Sequence, residues 1–186
     1  MLDYELHKSQ IEEVGFAVIK NIFSIEQIQE ILQLLNQLDT SRKKFRKSAD
    51  LFAIRQFFNE APEIYTNWTV KQDQFSVQPP LDILKQTYTV RIHLDHTDGN
   101  NGALKVIPSS HSKDVLKLSS VDLLKQMEHI CEVPEGGVMI MKPLLLHSSC
   151  RTTNNQKRRV IHIEFCNKEL HHELQWTERK DFRQRP

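Results

Sequence analysis

Two stretches of nine residues set the terms for this chain. Thr87 to Asp95 (TYTVRIHLD) and Lys157 to Phe165 (KRRVIHIEF) both alternate between apolar and polar residues with a period of two. That is the mark of a β-strand with two different faces. In the first, Tyr88, Val90, Ile92 and Leu94 point one way, and Thr89, Arg91, His93 and Asp95 the other. In the second, Arg159, Ile161, Ile163 and Phe165 share one face, and Arg158, Val160, His162 and Glu164 the other. Two arrangements satisfy such a pattern. Either the polar faces meet solvent, or they line a cavity while helices or a second sheet cover the apolar faces. The alternation alone does not choose between them.

The rest of the chain supplies partners for these strands. Val14 to Lys20 (VGFAVIK) reads as a strand. Ser24 opens a helix, with Gln27 placed as in a capping box and Ile25, Ile28, Ile31, Leu32, Leu35 and Leu38 forming one apolar stripe. The basic run Ser41 to Lys47 reads as a solvated loop, and Asp50 to Phe58 as a helix that Ala61-Pro62 breaks. Asn67 to Gln78 holds short β-like pieces ended by Pro79-Pro80. Asp98-Gly99-Asn100-Asn101-Gly102 is a strong turn signal, and Ala103 to Ile107 returns as a strand that Pro108 to His111 ends. Residues 112–131 read as helical or irregular, and Gly136 to Met141 and Leu144 to Ser149 as strands. The strands are short and joined by turns rather than by crossover helices. This predicts a mainly β fold, an antiparallel barrel or sandwich with helices at its N-terminal end. A length of 186 residues suits one core, so we expect a single domain over 1–186, with strand and helices in 14–58, a β core in 67–165 and a charged tail in 166–186.

Composition removes several function classes. The 25 basic and 24 acidic residues leave a formal net charge of +1, which gives no reason to expect a nucleic-acid partner. The three cysteines, Cys131, Cys150 and Cys166, contain no CxxC pair, so the count fits a reducing compartment better than a disulfide framework. No segment has the ~20 apolar residues that span a bilayer, and Met1 to Val14 does not resemble a secretory signal. The expectation is a soluble cytoplasmic protein with a small-molecule substrate.

Three groups of residues can carry chemistry. His93 and Asp95 lie two apart on one strand face, a spacing that suits two ligands of a facial iron site with a distant His as the third, and that equally suits an exposed pair. His147 follows the apolar run Leu144-Leu145-Leu146, and alternation puts Leu145, His147 and Ser149 on one face. A partly buried His there needs a partner, either a metal or a hydrogen bond. Arg158 follows eleven residues later, and a hairpin across Asn154-Asn155 would bring it near His147, where a guanidinium can clamp a carboxylate. Arg91 and His162 are candidates to line the same pocket.

These residues carry a resemblance to the phytanoyl-CoA dioxygenase family of iron(II)- and 2-oxoglutarate-dependent oxygenases. GFAVIKNIFSIEQI resembles that family's opening strand and helix, VRIHLDHTDGNNGALKVIPSSH its central segment, and GGVMIMKPLLLHSSCRTTNNQKRRVIHIEF its closing hairpin. The resemblance implies a double-stranded β-helix, the cupin-like jelly-roll. It implies that His147 is an iron ligand, that Ser149 lies near the 2-oxoglutarate carboxylate, and that Arg158 pairs with that carboxylate, with Arg91 beside it. The chemistry implied is hydroxylation of a small organic molecule coupled to decarboxylation of 2-oxoglutarate.

One departure is plain. The family's metal-binding HxD sits on an earlier strand, shortly after an Asn-Trp. Here Asn67-Trp68 is followed by Thr-Val-Lys-Gln-Asp, and no His occurs between His7 and His93. The chain resembles a shortened member that lacks this strand. His93 and Asp95 are then the candidates to complete a metal site with His147. The alternatives are a metal-free jelly-roll that binds a small carboxylate, or a truncated form without function that self-associates through an open sheet edge.

Overall fold

The computed structural model describes residues 3–38, 79–116 and 126–170, together with the backbone of 45–47 and 52–54. Its contacts divide the chain into two compact units, residues 1–28 with 80–168, and residues 29–79 with 169–186. In the first unit, helix α1 (Tyr4–Val14) precedes strand β1 (Phe16–Ile19) and helix α2 begins at Ile25, running to Gln37. Within the second unit, β2 (Phe45–Lys47) and β3 (Phe52–Ile54) pair antiparallel. The chain returns to the first unit with the short helix α3 (Leu81–Lys85), then β4 (Thr87–His93), β5 (Leu104–Val106), a 3-10 turn (Ser110–Lys113), β6 (His129–Cys131), β7 (Val138–Met141), β8 (His147–Ser149) and β9 (Val160–Cys166).

The seven strands of the first unit form two antiparallel sheets. One has the order β1-β7-β4-β9, the other β6-β5-β8. Register fixes which residues face inward. Phe16 and Val18 lie beside Met141 and Met139, which lie beside Thr89 and Arg91. Arg91 and His93 in turn pair with His162 and Val160. Met139 and Met141 pack with Leu104, Val106, Cys131, Val133 and Leu145 in the core between the sheets, with Phe16 and Val18 against it. The interior is therefore apolar where β1 and β7 face β5 and β6. It turns polar along β4 and β9.

The outer face of the four-stranded sheet explains the inward polar residues. Ala17, Ile19, Ile161 and Ile163 on that face are all at least nine-tenths buried. Helix α1 lies against it, where the Tyr88 hydroxyl donates to Glu12 at 3.1 Å and Lys142 Nζ stands 3.9 Å over the Tyr88 ring. A sheet covered on its apolar face must turn its polar face to the interior. That settles the choice the alternation left open.

Local signals behave as their chemistry requires. Ser24 and Gln27 form the reciprocal capping box, with Gln27 Oε1 accepting from Ser24 N at 2.9 Å and Ser24 Oγ from Gln27 N at 3.3 Å. In the 98–102 turn the Asp98 carboxylate accepts from the amides of Asn100 and Asn101. Several expectations are corrected. Phe52–Ile54 is a strand rather than helix, and it pairs with the end of the basic run read as a loop, because strand pairing outweighs a weak amphipathic pattern. His129–Cys131 is a strand that β5 recruits. Helix α1 carries little apolar pattern to announce it, and in the structure it buries only Ile11. β8 and β9 do not form a hairpin, because they belong to opposite sheets. Residues 41–44, 55–58, 67–78 and 171–186, on which other expectations fell, lie outside the described residues.

Gly15 marks where α1 turns into β1. Its φ is +91°, and a Cβ there would stand 2.5 Å from His111 Nδ1 and 2.8 Å from Leu145 Cδ1. We expect Gly15→Ala to lower unfolding stability by about 2–3 kcal/mol in urea denaturation, from the left-handed backbone and the clash together. Gly99→Ala, where the nearest atom is 3.9 Å away, is expected to change it by less than about 0.5 kcal/mol.

Candidate functional site

The polar part of the interior is built mainly by β4 and β9. Arg91 sits opposite His162, and His93 opposite Val160. Arg91 Nη1 donates to His162 Nδ1 at 3.2 Å, which orients the guanidinium. His162 Nε2 faces Glu164 Oε1 at 3.8 Å. Arg91 Nε is buried and has no hydrogen-bond partner among the described residues. Burial, and then the charge of Arg158, lower the Arg91 pKa to about 10, so it remains a cation at neutral pH.

His93 is 4% exposed. Its Nδ1 is 2.8 Å from the Thr97 hydroxyl, and that hydroxyl donates to the Asp95 carbonyl at 3.3 Å. The hydroxyl proton is thus spent, Thr97 accepts from Nδ1–H, and this assigns a bare lone pair to Nε2. Nε2 is buried and finds no partner among the described residues. Burial first, then the charges of Arg91 and Arg158, push the His93 pKa down to about 3. The ring is neutral at any ordinary pH.

Asp95 and Arg159 form a closed pair beyond the end of β4. The carboxylate accepts from Arg159 Nη2 at 2.6 Å, Nε at 2.9 Å and the backbone N at 2.7 Å. Burial raises the Asp95 pKa, but the Arg159 hydrogen bonds and the charges of Arg159 and Lys157 outweigh it and hold the carboxyl below its usual range. Both oxygens are committed. Arg159 is thereby withdrawn from ligand binding, and of the two neighbours Arg158, which is exposed, is the one left unpaired with a carboxylate among the described residues.

Arg158 donates through Nη1 to the Gly102 carbonyl, and forms no ion pair with a carboxylate among the described residues. Gly102 makes this approach possible. Its φ is +88°, and a Cβ there would lie 3.4 Å from the Arg158 guanidinium and 2.9 Å from the Cys150 carbonyl. His147 and Ser149 lie on β8 beside Val106 and Leu104, on the inward-facing row of the three-stranded sheet. Both are exposed, where partial burial was expected of His147. Its Nδ1 donates to the Leu145 carbonyl at 2.8 Å, which leaves Nε2 free to bind.

The arrangement suits an anion, since Arg91 and Arg158 share one inward row and neither meets a carboxylate among the described residues. As an iron site it is incomplete. Among the described residues, no three His, Cys, Asp or Glu side chains are placed to hold one metal ion. His93 and Asp95 share a strand end but not a ligand point, because Arg159 holds the Asp95 carboxylate. Sequence reading passed over Thr97, which fixes the His93 ring, and Gly102, which seats Arg158. The turn signal at 98–102 was the one cue to Gly102.

Two predictions follow from these charges. Asp95→Asn leaves Arg159 half-paired in a partly buried setting, and should cost about 1–3 kcal/mol of unfolding stability. His93 has a folded pKa below its unfolded value, so the unfolded chain binds the extra proton. Stability is then full above the unfolded value near pH 6.5 and falls as pH drops toward about 3, with a slope of up to ~1.4 kcal/mol per pH unit. Chemical denaturation between pH 7 and 4.5 should show this slope, and His93→Gln should flatten it.

Comparison with known proteins places the fold. The model of the family described as phytanoyl-CoA dioxygenase matches residues 51–160. No curated protein matches the chain. Among solved structures, AviO1 from Streptomyces viridochromogenes Tue57 is 16% identical with a TM-score of 0.64, over 91% of this chain and 97% of that one. HygX from Streptomyces hygroscopicus, with nickel and 2-oxoglutarate bound, is 12% identical with a TM-score of 0.63, over 88% and 87%. EvdO2 from Micromonospora carbonacea var. aurantiaca, complexed with 2-oxoglutarate, is 14% identical with a TM-score of 0.61, over 88% and 90%. The jelly-roll that the family resemblance implied is the fold they share. With more than half of its length matched by the family model, the chain belongs to the phytanoyl-CoA dioxygenase family of iron- and 2-oxoglutarate-dependent oxygenases.

Proposed function

We propose that the chain acts in its family's reaction class, consuming 2-oxoglutarate to oxidise a small organic molecule. The observation that carries this reading is the state of Arg158. It is exposed, it extends the inward row of β9, it has no carboxylate among the described residues, and Asp95 has taken its neighbour Arg159 out of competition. Arg158 is the group that holds the carboxylate of 2-oxoglutarate remote from the reacting carbon. Ser149, on the inward row of β8, offers a hydroxyl to the same ligand. His147, with Nε2 free, is the metal ligand the family pattern assigns, and the described residues do not complete its set.

Support also comes from the ligands of the fold's relatives. SnoN, an epimerase of nogalamycin biosynthesis with 11% identity and a TM-score of 0.60, is known in complex with iron, 2-oxoglutarate and a nogalamycin compound.

Anaerobic titration of the purified protein with iron(II) and 2-oxoglutarate tests this through the charge-transfer absorbance of the chelate. A saturable band is expected, with Arg158→Ala weakening 2-oxoglutarate by roughly 10- to 100-fold, the worth of a charge-assisted contact. No band from protein that is folded by circular dichroism would overturn the oxygenase reading.

A further inference from the structure

Arg158 is one of two arginines on the inward row of β4 and β9 among the described residues. Arg91 stands two residues before His93 on β4, and Arg158 two residues before Val160, the register partner of His93 on β9. The two arginines therefore flank His93 on the same interior face. Neither forms an ion pair with a carboxylate among the described residues. Glu164, the acidic group nearest to Arg91 along this row, lies beyond His162. Arg91 holds a buried Nε–H with no acceptor, and His93 between them holds a buried, unpaired Nε2. The charge of Arg158 is felt at Arg91, and Arg91 keeps a buried donor unspent, so an anion meeting both is favoured. The expected replacement metal site also fails here, since Asp95 is committed to Arg159.

We infer that Arg91 and Arg158 form a two-point clamp for a short dicarboxylate, one carboxylate on each guanidinium, and that this binding needs no metal ion. His93 fills the space between them as a neutral acceptor, reaching the ligand chain through a water or a hydroxyl. The inference rests on the assignment of Arg158 to a carboxylate and adds Arg91 as the second anchor, in place of an iron that would otherwise hold the other end of 2-oxoglutarate.

The test is calorimetric titration of the full chain in EDTA with 2-oxoglutarate, glutarate, pentanoate and inorganic phosphate. Glutarate and 2-oxoglutarate are expected to bind, and pentanoate, which lacks the second carboxylate, at least about tenfold more weakly. Arg91→Met and Arg158→Met should each weaken glutarate by about tenfold or more, while Arg91→Lys, which keeps the charge, recovers part of the loss. The ligand series on the unaltered protein stands even if a variant fails to fold. No binding in EDTA, pentanoate or phosphate binding as tightly as glutarate, or full affinity in Arg91→Met would each overturn the clamp. The iron titration separates the two proposals. Dicarboxylate binding in EDTA without a charge-transfer band leaves the clamp and removes the oxygenase reading. A band without binding in EDTA does the reverse.

Discussion

The apolar outer face of the four-stranded sheet is the constraint on which the site depends. Ala17, Ile19, Ile161 and Ile163 are buried on it, and α1 reaches across to the Tyr88 hydroxyl. Because a strand shows alternate residues to opposite sides, burying that row sends Thr89, Arg91, His93, His162 and Glu164 inward together. The pocket's charge is thus a by-product of where the helices pack.

The Asp95–Arg159 pair divides labour between two adjacent arginines. They stand next to each other in sequence, yet one is neutralised by three hydrogen bonds and the other is left to the cavity. The pair also removes the carboxylate that the His93–Asp95 spacing offers to a metal. One short-range interaction therefore decides both which arginine meets a ligand and which acid does not meet a cation.

Much of this was legible in the sequence because it rests on period-two alternation. The faces of β4 and β9 and the capping box at Ser24 both follow from local pattern. What the sequence hides is long-range. Asp95 meets Arg159 across 64 positions, and nothing near either residue announces it. Thr97 looks like a turn residue until it is seen holding the His93 ring. β6 pairs with β5 although its own three residues carry no strong strand signal. The strand Phe52–Ile54 shows the same limit, since pairing with a distant segment overrode a weak helical pattern.

Gly102 ties the last of these features to the pocket floor. The segment after β8 crosses from one sheet to the other, and on its way it is pinned to the 98–102 turn by Thr153 N donating to the Asn100 carbonyl at 2.7 Å. The Cys150 carbonyl and the Arg158 guanidinium both press on the space a Gly102 side chain would take. The reach of Arg158 is thus gauged by a turn that touches no ligand. Gly102 is where a change as small as one methyl group would move it.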